Sequence, residues 1–231
     1  MKLRILLPVL ALTIGIVIFS CSKKDSQTAP AGDTVLSTYY PGAAMEVNEL
    51  SIRTKNGAVT DPALIQDFIN RNVSADARAN FFVGMTSVPV PASTQALSFL
   101  NDNRVNVNGI NMEITSVKDS VMLVTEYTST PFPTYATSCG ALLGQVPQYT
   151  ATYACPTNDC ATYRKSYPLV MSGANYYAPL LTYAVVTKDC SITATEIPAI
   201  NTVNPDLNSL LKDGDSVLVQ YVKLPLSKKV D

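Results

Sequence analysis

Residues 97–127, LSFLNDNRVNVNGINMEITSVKDSVMLVTEY, decide the fold class. Leu97 and Phe99 alternate with polar neighbours, then Val105 and Val107, then Ile110, Met112 and Ile114, then Val121, Leu123 and Tyr127. Side chains of an extended chain point alternately to its two faces, so a period of two marks strands with one face on a core. Asn101-Asp102-Asn103, Asn108-Gly109 and Lys118-Asp119 supply the turns between the runs. Short alternating runs joined by tight turns predict an antiparallel meander with one wet face.

The same grammar extends in both directions. Strands are expected over 149–153, 162–171, 176–187 and 216–224, with Ser172-Gly173-Ala174-Asn175 as a hairpin turn. Pro168 and Pro179 inside those runs imply edge positions or bulges, because proline has no N–H to give a ladder. Residues 128–148, with three prolines, two glycines and Cys139, read as an ordered loop excursion. Upstream, residues 45–54 read as a strand, and Asn56-Gly57 follows as a turn. Asp61-Pro62 then pairs an N-cap residue with proline at the first helical position, and Leu64, Ile65, Phe68 and Ile69 recur at helical spacing, predicting a short helix over 62–71. Asn204-Pro205 opens a second short helix through Leu211, which Gly214 ends. The expectation is a mainly β domain over 34–231, an antiparallel barrel or sandwich of about nine strands with one or two short helices.

The amino-terminal residues carry a different signal. Met1-Lys2-Leu3-Arg4 is basic, and no charge follows from Ile5 to Phe19. The apolar run is shorter than the roughly 20 residues of a spanning helix and contains Pro8 and Gly15, which favours a secretory signal over an anchor. Ile18-Phe19-Ser20-Cys21 resembles the lipobox of bacterial lipoproteins: aliphatic at −3, small at −1, then cysteine. The aromatic at −2 is similar to the Bacteroidota-type variant. The resemblance implies that residues 1–20 are a signal peptide and that Cys21 carries a diacylglyceride and an amide-linked acyl group such as palmitate. Two or more chains give stable membrane attachment, since each buried methylene contributes about 0.8 kcal/mol. Ser22 after the cysteine resembles the pattern of outer-membrane lipoproteins, on the periplasmic face or at the cell surface. Residues 22–33 lack aromatic and large aliphatic side chains, so with Cys21 they read as a lipidated flexible tether.

Without residues 1–20 the chain keeps fifteen basic and eighteen acidic side chains, a formal charge near −3, too mild to imply a nucleic-acid partner. Histidine is absent, which removes Ser-His and Cys-His nucleophile systems and every imidazole metal site. Tryptophan is absent too, so indole sugar platforms are excluded. In an exported chain, Cys139, Cys155, Cys160 and Cys190 read as two disulfides. The turn-rich 155–160 stretch points to Cys155–Cys160 and Cys139–Cys190. An all-thiolate zinc site competes, but lacks a Cys-x-x-Cys knuckle.

Nine of the twelve tyrosines fall between Tyr127 and Tyr183, and Tyr163, Tyr167, Tyr176, Tyr177 and Tyr183 form a candidate recognition surface; strand preference alone also accounts for them. The Asn-rich 101–113 stretch fails as a calcium loop, because Arg104 stands where the first carboxylate belongs. Lys165 and Ser166 would face opposite sides of a strand, and Ser209-Leu210-Leu211-Lys212 lacks the companion motifs of penicillin-recognising enzymes. Asp33-Thr34, Asp119-Ser120 and Asp215-Ser216 resemble Bacteroidota O-glycosylation acceptors. Helix-then-meander order resembles uncharacterised Bacteroidota lipoproteins, some lipocalin-like. The expected function is a non-enzymatic binding or envelope-structural lipoprotein without metal or cofactor. The alternative is a lipocalin-like carrier of a small apolar ligand, and a carboxylate-dependent glycan hydrolase stands third.

Overall fold

The computed structural model describes residues 34–228, apart from 93, 95, 102, 108, 132–137, 150–151, 154–161 and 189. Cys21, the signal and tether segments, and Cys155 and Cys160 lie outside the described residues. The chain forms β1 (Val35–Pro41), β2 (Ala44–Thr54), β3 (Gly57–Val59), α1 (Pro62–Asn72), α2 (Ala75–Arg78), β4 (Ser87–Pro89) and β5 (Leu97–Leu100). It continues with β6 (Arg104–Val107), β7 (Ile110–Lys118), β8 (Val121–Pro131), α3 (Ser138–Leu143), β9 (Thr152–Tyr153) and β10 (Thr162–Ser172). β11 (Asn175–Thr187), β12 (Cys190–Ile200), α4 (Leu207–Leu210) and β13 (Ser216–Lys228) complete it.

The strands of the meander form as read, β5, β6, β7 and β8 pairing in succession, all antiparallel, but the face of β8 is the opposite one: Met122 and Val124 enter the core, while Val121, Leu123 and Tyr127 lie on the other side, and Ile110 is exposed. Asp119 and Ser120 turn β7 into β8 with φ of 49° and 67°, the two positive values that a two-residue hairpin of primed type requires. Helix α1 also forms as read, with the Asp61 carboxylate accepting from the N–H groups of Ala63 and Leu64 at 2.8 and 3.0 Å. Its buried stripe is narrower than the spacing suggested, because Ile65 and Ile69 are buried while Leu64 is exposed.

The expectation of a β-barrel is corrected. The strands make one sheet with the order β12-β11-β10-β8-β7-β6-β5-β1-β13-β2-β3, whose end strands β12 and β3 do not pair with each other. Nor are there two separate sheets, as a sandwich would need. The cause is branching. β11 meets β13 along one edge, and β10 and then β12 along the other. β13 meets β11 on one side, and β2 and then β1 on the other. The β11–β13 pairing joins strands far apart in that order, so the sheet curls back on itself, while β12 on one side and β2 and β3 on the other branch off that path.

One face of the curled sheet gathers side chains from nearly its whole width. Met45, Leu97, Val105, Met112, Val124, Leu169, Leu180 and Leu224 belong to this concave cluster, and beside it Ile65 and Ile69 of α1, with Phe81 from the segment after α2, pack against Ile52 and Leu218. At ~25 cal/mol per Å2 of apolar surface removed from water, this burial is the main stabilising contribution. The convex face is covered at one end, where Val217, Val219, Leu181 and Val185 pack against Cys139 and Leu142 of α3 and Leu207 of α4. The structure joins Cys139 to Cys190, fastening α3 to the start of β12. That bond also removes two thiolates from the four-cysteine zinc alternative.

Candidate functional site

Beyond α3 and α4 the convex face of β13 continues with Tyr221, Lys223 and Pro225, alternating with Val222, Leu224 and Leu226 of the concave core. A register shift opposite Tyr221 and Val222 lets Glu49, Ser51 and Arg53 of β2 reach the same convex face. Tyr177 of β11 joins them, because Tyr176 and Ala178 on either side turn to the concave core. Two clefts open here. One, of about 260 Å3, lies between α4 with its preceding loop and Glu49, Arg53 and Tyr221. The other, of about 250 Å3, is lined by Glu46, Tyr177, Lys223, Ser172 and Ser227 among others.

Polar contacts tie the first cleft together. Arg53 pairs with Glu49, whose carboxylate also accepts from the Ser51 hydroxyl at 2.6 Å. Ser51 is fully buried, so this anchor is rigid. Arg53 Nε and Asn208 Oδ1, buried atoms of two residues that line this cleft, have no partner among the described residues. Each such orphan costs about 1–3 kcal/mol until something satisfies it. Tyr221 borders the first cleft, and Lys223, two residues along the same face of β13, borders the second. Burial chiefly, and then the Tyr177 phenol, push the Tyr221 hydroxyl well above the ordinary phenol range, so it stays protonated as a hydrogen-bonding group. The Lys223 ammonium stands 5.0 Å from the centre of the Tyr177 ring.

The five tyrosines singled out from the sequence divide between the two faces. Tyr167 packs against the concave core and donates to the Glu126 carboxylate. Tyr176 stacks edge-on with Tyr39 at 4.9 Å and lies 5.1 Å from Phe99; burial, then Tyr39, raises its pKa. Tyr183 lies under α3 and donates to the Leu143 carbonyl at 3.2 Å. Tyr163 pairs in register with Thr130 and Tyr153, and its side chain is outside the described residues. Of the five, Tyr177 stands beside Tyr221. Glu49, Arg53, Asn208, Tyr221 and Lys223 were missed by the sequence reading; the available signal was Tyr221 and Lys223 alternating with aliphatic residues in the last strand.

The dismissed serine motifs have structural roles. Ser166 is buried and shares a hydroxyl chain with Thr125 and Thr115, each link 2.9 Å, while Lys165 is exposed. Ser209 donates to the Asp206 carbonyl at 2.7 Å. Each convex cleft is lined by a single carboxylate, Glu49 or Glu46, whereas a two-carboxylate hydrolase needs a facing pair. Among the described residues no group of three or more Cys, Asp or Glu could hold a metal ion, and no helix is long and apolar enough to cross a membrane. Comparison with protein-family models, with curated proteins and with solved structures finds no match for this chain.

Proposed function

We propose that this chain is an exported lipoprotein, held at the outer membrane by acyl chains on Cys21, whose β-domain is a non-enzymatic binding module using the convex face around Tyr177 and Tyr221. The observation that carries the binding reading is the pair of clefts on one face of β13, the first bordered by Tyr221 and the second by Tyr177 and Lys223. The anchor reading is supported by the basic start, the uncharged run and Ile18-Phe19-Ser20-Cys21. The Cys139–Cys190 bond suits an oxidising compartment. A tether over 22–33 would join the domain to the lipid surface.

Metabolic labelling with an alkyne fatty acid tests the anchor. The intact chain should incorporate label and partition with outer membranes, and Cys21→Ser should lose both. Label retained in the Cys21→Ser protein would refute acylation at that residue.

A further inference from the structure

We infer that the end of the sheet where the chain arrives from Cys21 docks on a phospholipid surface, with Val35, Leu36 and Val117 dipping into it. This rests on the acyl anchor at Cys21 and adds the face that the domain turns to the membrane. Strand direction defines that end. Along the path β11-β10-β8-β7-β6-β5-β1-β13 each strand is antiparallel to the next, so β1, β6, β8 and β11 begin where β5, β7, β10 and β13 finish. The entry at Thr34 therefore shares one end with the turns after β5, β7 and β10 and with Lys228. Thr34 is joined to the first of those turns, its carbonyl accepting from the Asn101 N–H at 3.2 Å.

Bulky apolar side chains stand bare at this end. Val35 and Leu36 are 56% and 65% exposed, and Val117, beside the β7–β8 turn, is 55% exposed. Strand pairing explains the first two. A register shift between Val35 and Ser37 leaves Leu36 without an opposite residue on β5, and β13 pairs with β1 only from Tyr39 onward. The β10–β11 turn, Ser172-Gly173-Ala174-Asn175, carries no large or charged side chain that would keep a flat surface away. Among the described charged residues here, Arg104, Lys118 and Lys228 outnumber Asp119, which suits anionic headgroups.

The chain between Cys21 and the fold decides the occupant. Twelve residues, 22–33, separate Cys21 from Thr34. At about 5–6 Å times the square root of residue number, a flexible chain of that length spans roughly 20 Å. Acyl chains in the bilayer thus hold this end close to lipid, at an effective concentration on the order of millimolar, where a weak contact suffices. Three apolar side chains among turns are few for a protein interface, which buries roughly 800 Å2 a side. The opposite end, where β7 begins at Ile110, lies about 26 Å further along that strand at ~3.3 Å per residue.

The chain has no tryptophan, so single Leu36→Trp, Val117→Trp and Ile110→Trp reporters read the contact directly. Each full, acylated chain is reconstituted in vesicles of phosphatidylethanolamine and phosphatidylglycerol, with or without bromine on the lipid acyl chains. Bromine should quench the reporters at residues 36 and 117 at least about twofold and leave the one at 110 within about a tenth of its emission. Val35→Glu, on an exposed site, should cut the quenching at residue 117 about twofold or more, because a charge resists entry into the acyl layer. Reporters at 36 and 117 quenched no more than the one at 110 would overturn the inference, as would quenching that Val35→Glu leaves unchanged. Reporters shielded from aqueous iodide yet untouched by bromine would overturn it in favour of a protein partner or a second copy. Protein that floats with the vesicles but is not quenched would leave the anchor standing and remove the docking face; protein that does not float would remove both.

Discussion

Gln220 is the sharpest internal test of how the two faces of β13 are held. Its side chain is 1% exposed and points into the concave core between Leu218 and Val222. There it works as a two-point clamp: its Oε1 accepts from the Phe82 N–H at 2.6 Å, and its Nε2 donates to the Asn80 carbonyl at 3.0 Å. These bonds fix the segment after α2, so that Phe81 packs with α1 over Leu218. Gln220→Leu keeps the volume and removes both bonds, leaving one backbone donor and one acceptor without partners. At about 1–3 kcal/mol per buried orphan, and with both residues half-buried and able to recover some water, the loss should be about 2–4 kcal/mol. Against a total of about 5–15 kcal/mol for a domain, that is a large fraction. With m near 2 kcal/mol per molar urea, the midpoint should fall by about 1–2 M, read by far-ultraviolet circular dichroism and tyrosine emission.

Gln220→Glu separates the two bonds. At neutral pH its carboxylate still accepts from Phe82 but repels the Asn80 carbonyl; once protonated, it can donate again. The folded state thus favours the protonated acid, raising its folded pKa above the unfolded value of about 4.3. Stability gained from the proton is fully present below pH ~4.3 and is lost as pH rises through the folded pKa. The deficit relative to the parent should therefore shrink on acidification. If both variants unfold within ~0.5 kcal/mol of the parent at pH 7, the clamp does not hold the segment.

Replacing Cys139 by Ser opens a loop of 51 residues and should cost about 2–4 kcal/mol, seen as a lower melting temperature that dithiothreitol no longer changes. Ser120→Gly should stabilise the β7–β8 hairpin by about 1 kcal/mol, because Ser120 holds φ of 67°; an unchanged urea midpoint would count against that turn. Tyr221 keeps its proton above the usual phenol range when folded, so stability should be flat below pH ~10 and decline above it, less steeply in Tyr221→Phe. A Cβ on Gly42 would sit 3.0 Å from Pro225 Cγ, a ring atom held in β13, so Gly42→Ala should cost about 1 kcal/mol if the ring stays in place and speed hydrogen exchange of the residue-42 amide, which donates to the Pro225 carbonyl at 2.9 Å; an unchanged urea midpoint would show that the ring yields.

The parts legible in the sequence were local. Leu97 to Tyr127 declared their strands because alternation and turn residues lie within a few positions of each other, and Asp61-Pro62 declared α1 in the same way. The Asn204-Pro205 helix formed only as the single turn Leu207–Leu210, and the segment read as a loop includes the end of β8 and all of α3. The barrel expectation failed because alternation says that a strand has two faces and is silent on how many neighbours its edges have. β1 was missed for a related reason: its partners β5 and β13 lie more than fifty residues away, as Lys228 does from Tyr39; β12 was missed although it follows β11 in a hairpin that pairs Thr187 with Cys190. The site was illegible because Glu49, Arg53, Asn208 and Tyr221 come from three separate stretches. Their meeting depends on the bulge opposite Tyr221, which no local pattern announces.

Two prolines explain why the branch and the site coincide. Pro179 lies on β11 between Tyr177, the last residue paired with β10, and Leu180, the first paired with β12. Pro225 lies on β13 between Lys223, the last paired with β2, and Leu226, the first paired with β1. Each keeps one bond, its carbonyl accepting from Asn201 or from Gly42 at 2.9 Å, and has no N–H to continue the outgoing ladder. Each strand therefore changes partner at its proline. The two handovers face each other, since Pro225 is in register with Tyr177 and Pro179 with Lys223. Tyr177, Pro179, Lys223 and Pro225 thus share one convex quadrilateral where departing strands leave the sheet surface open, while a few residues away α3 and α4 cover it. The half-buried Tyr177 and Lys223 sit where the sheet divides, beside the two prolines at which the strands change partner.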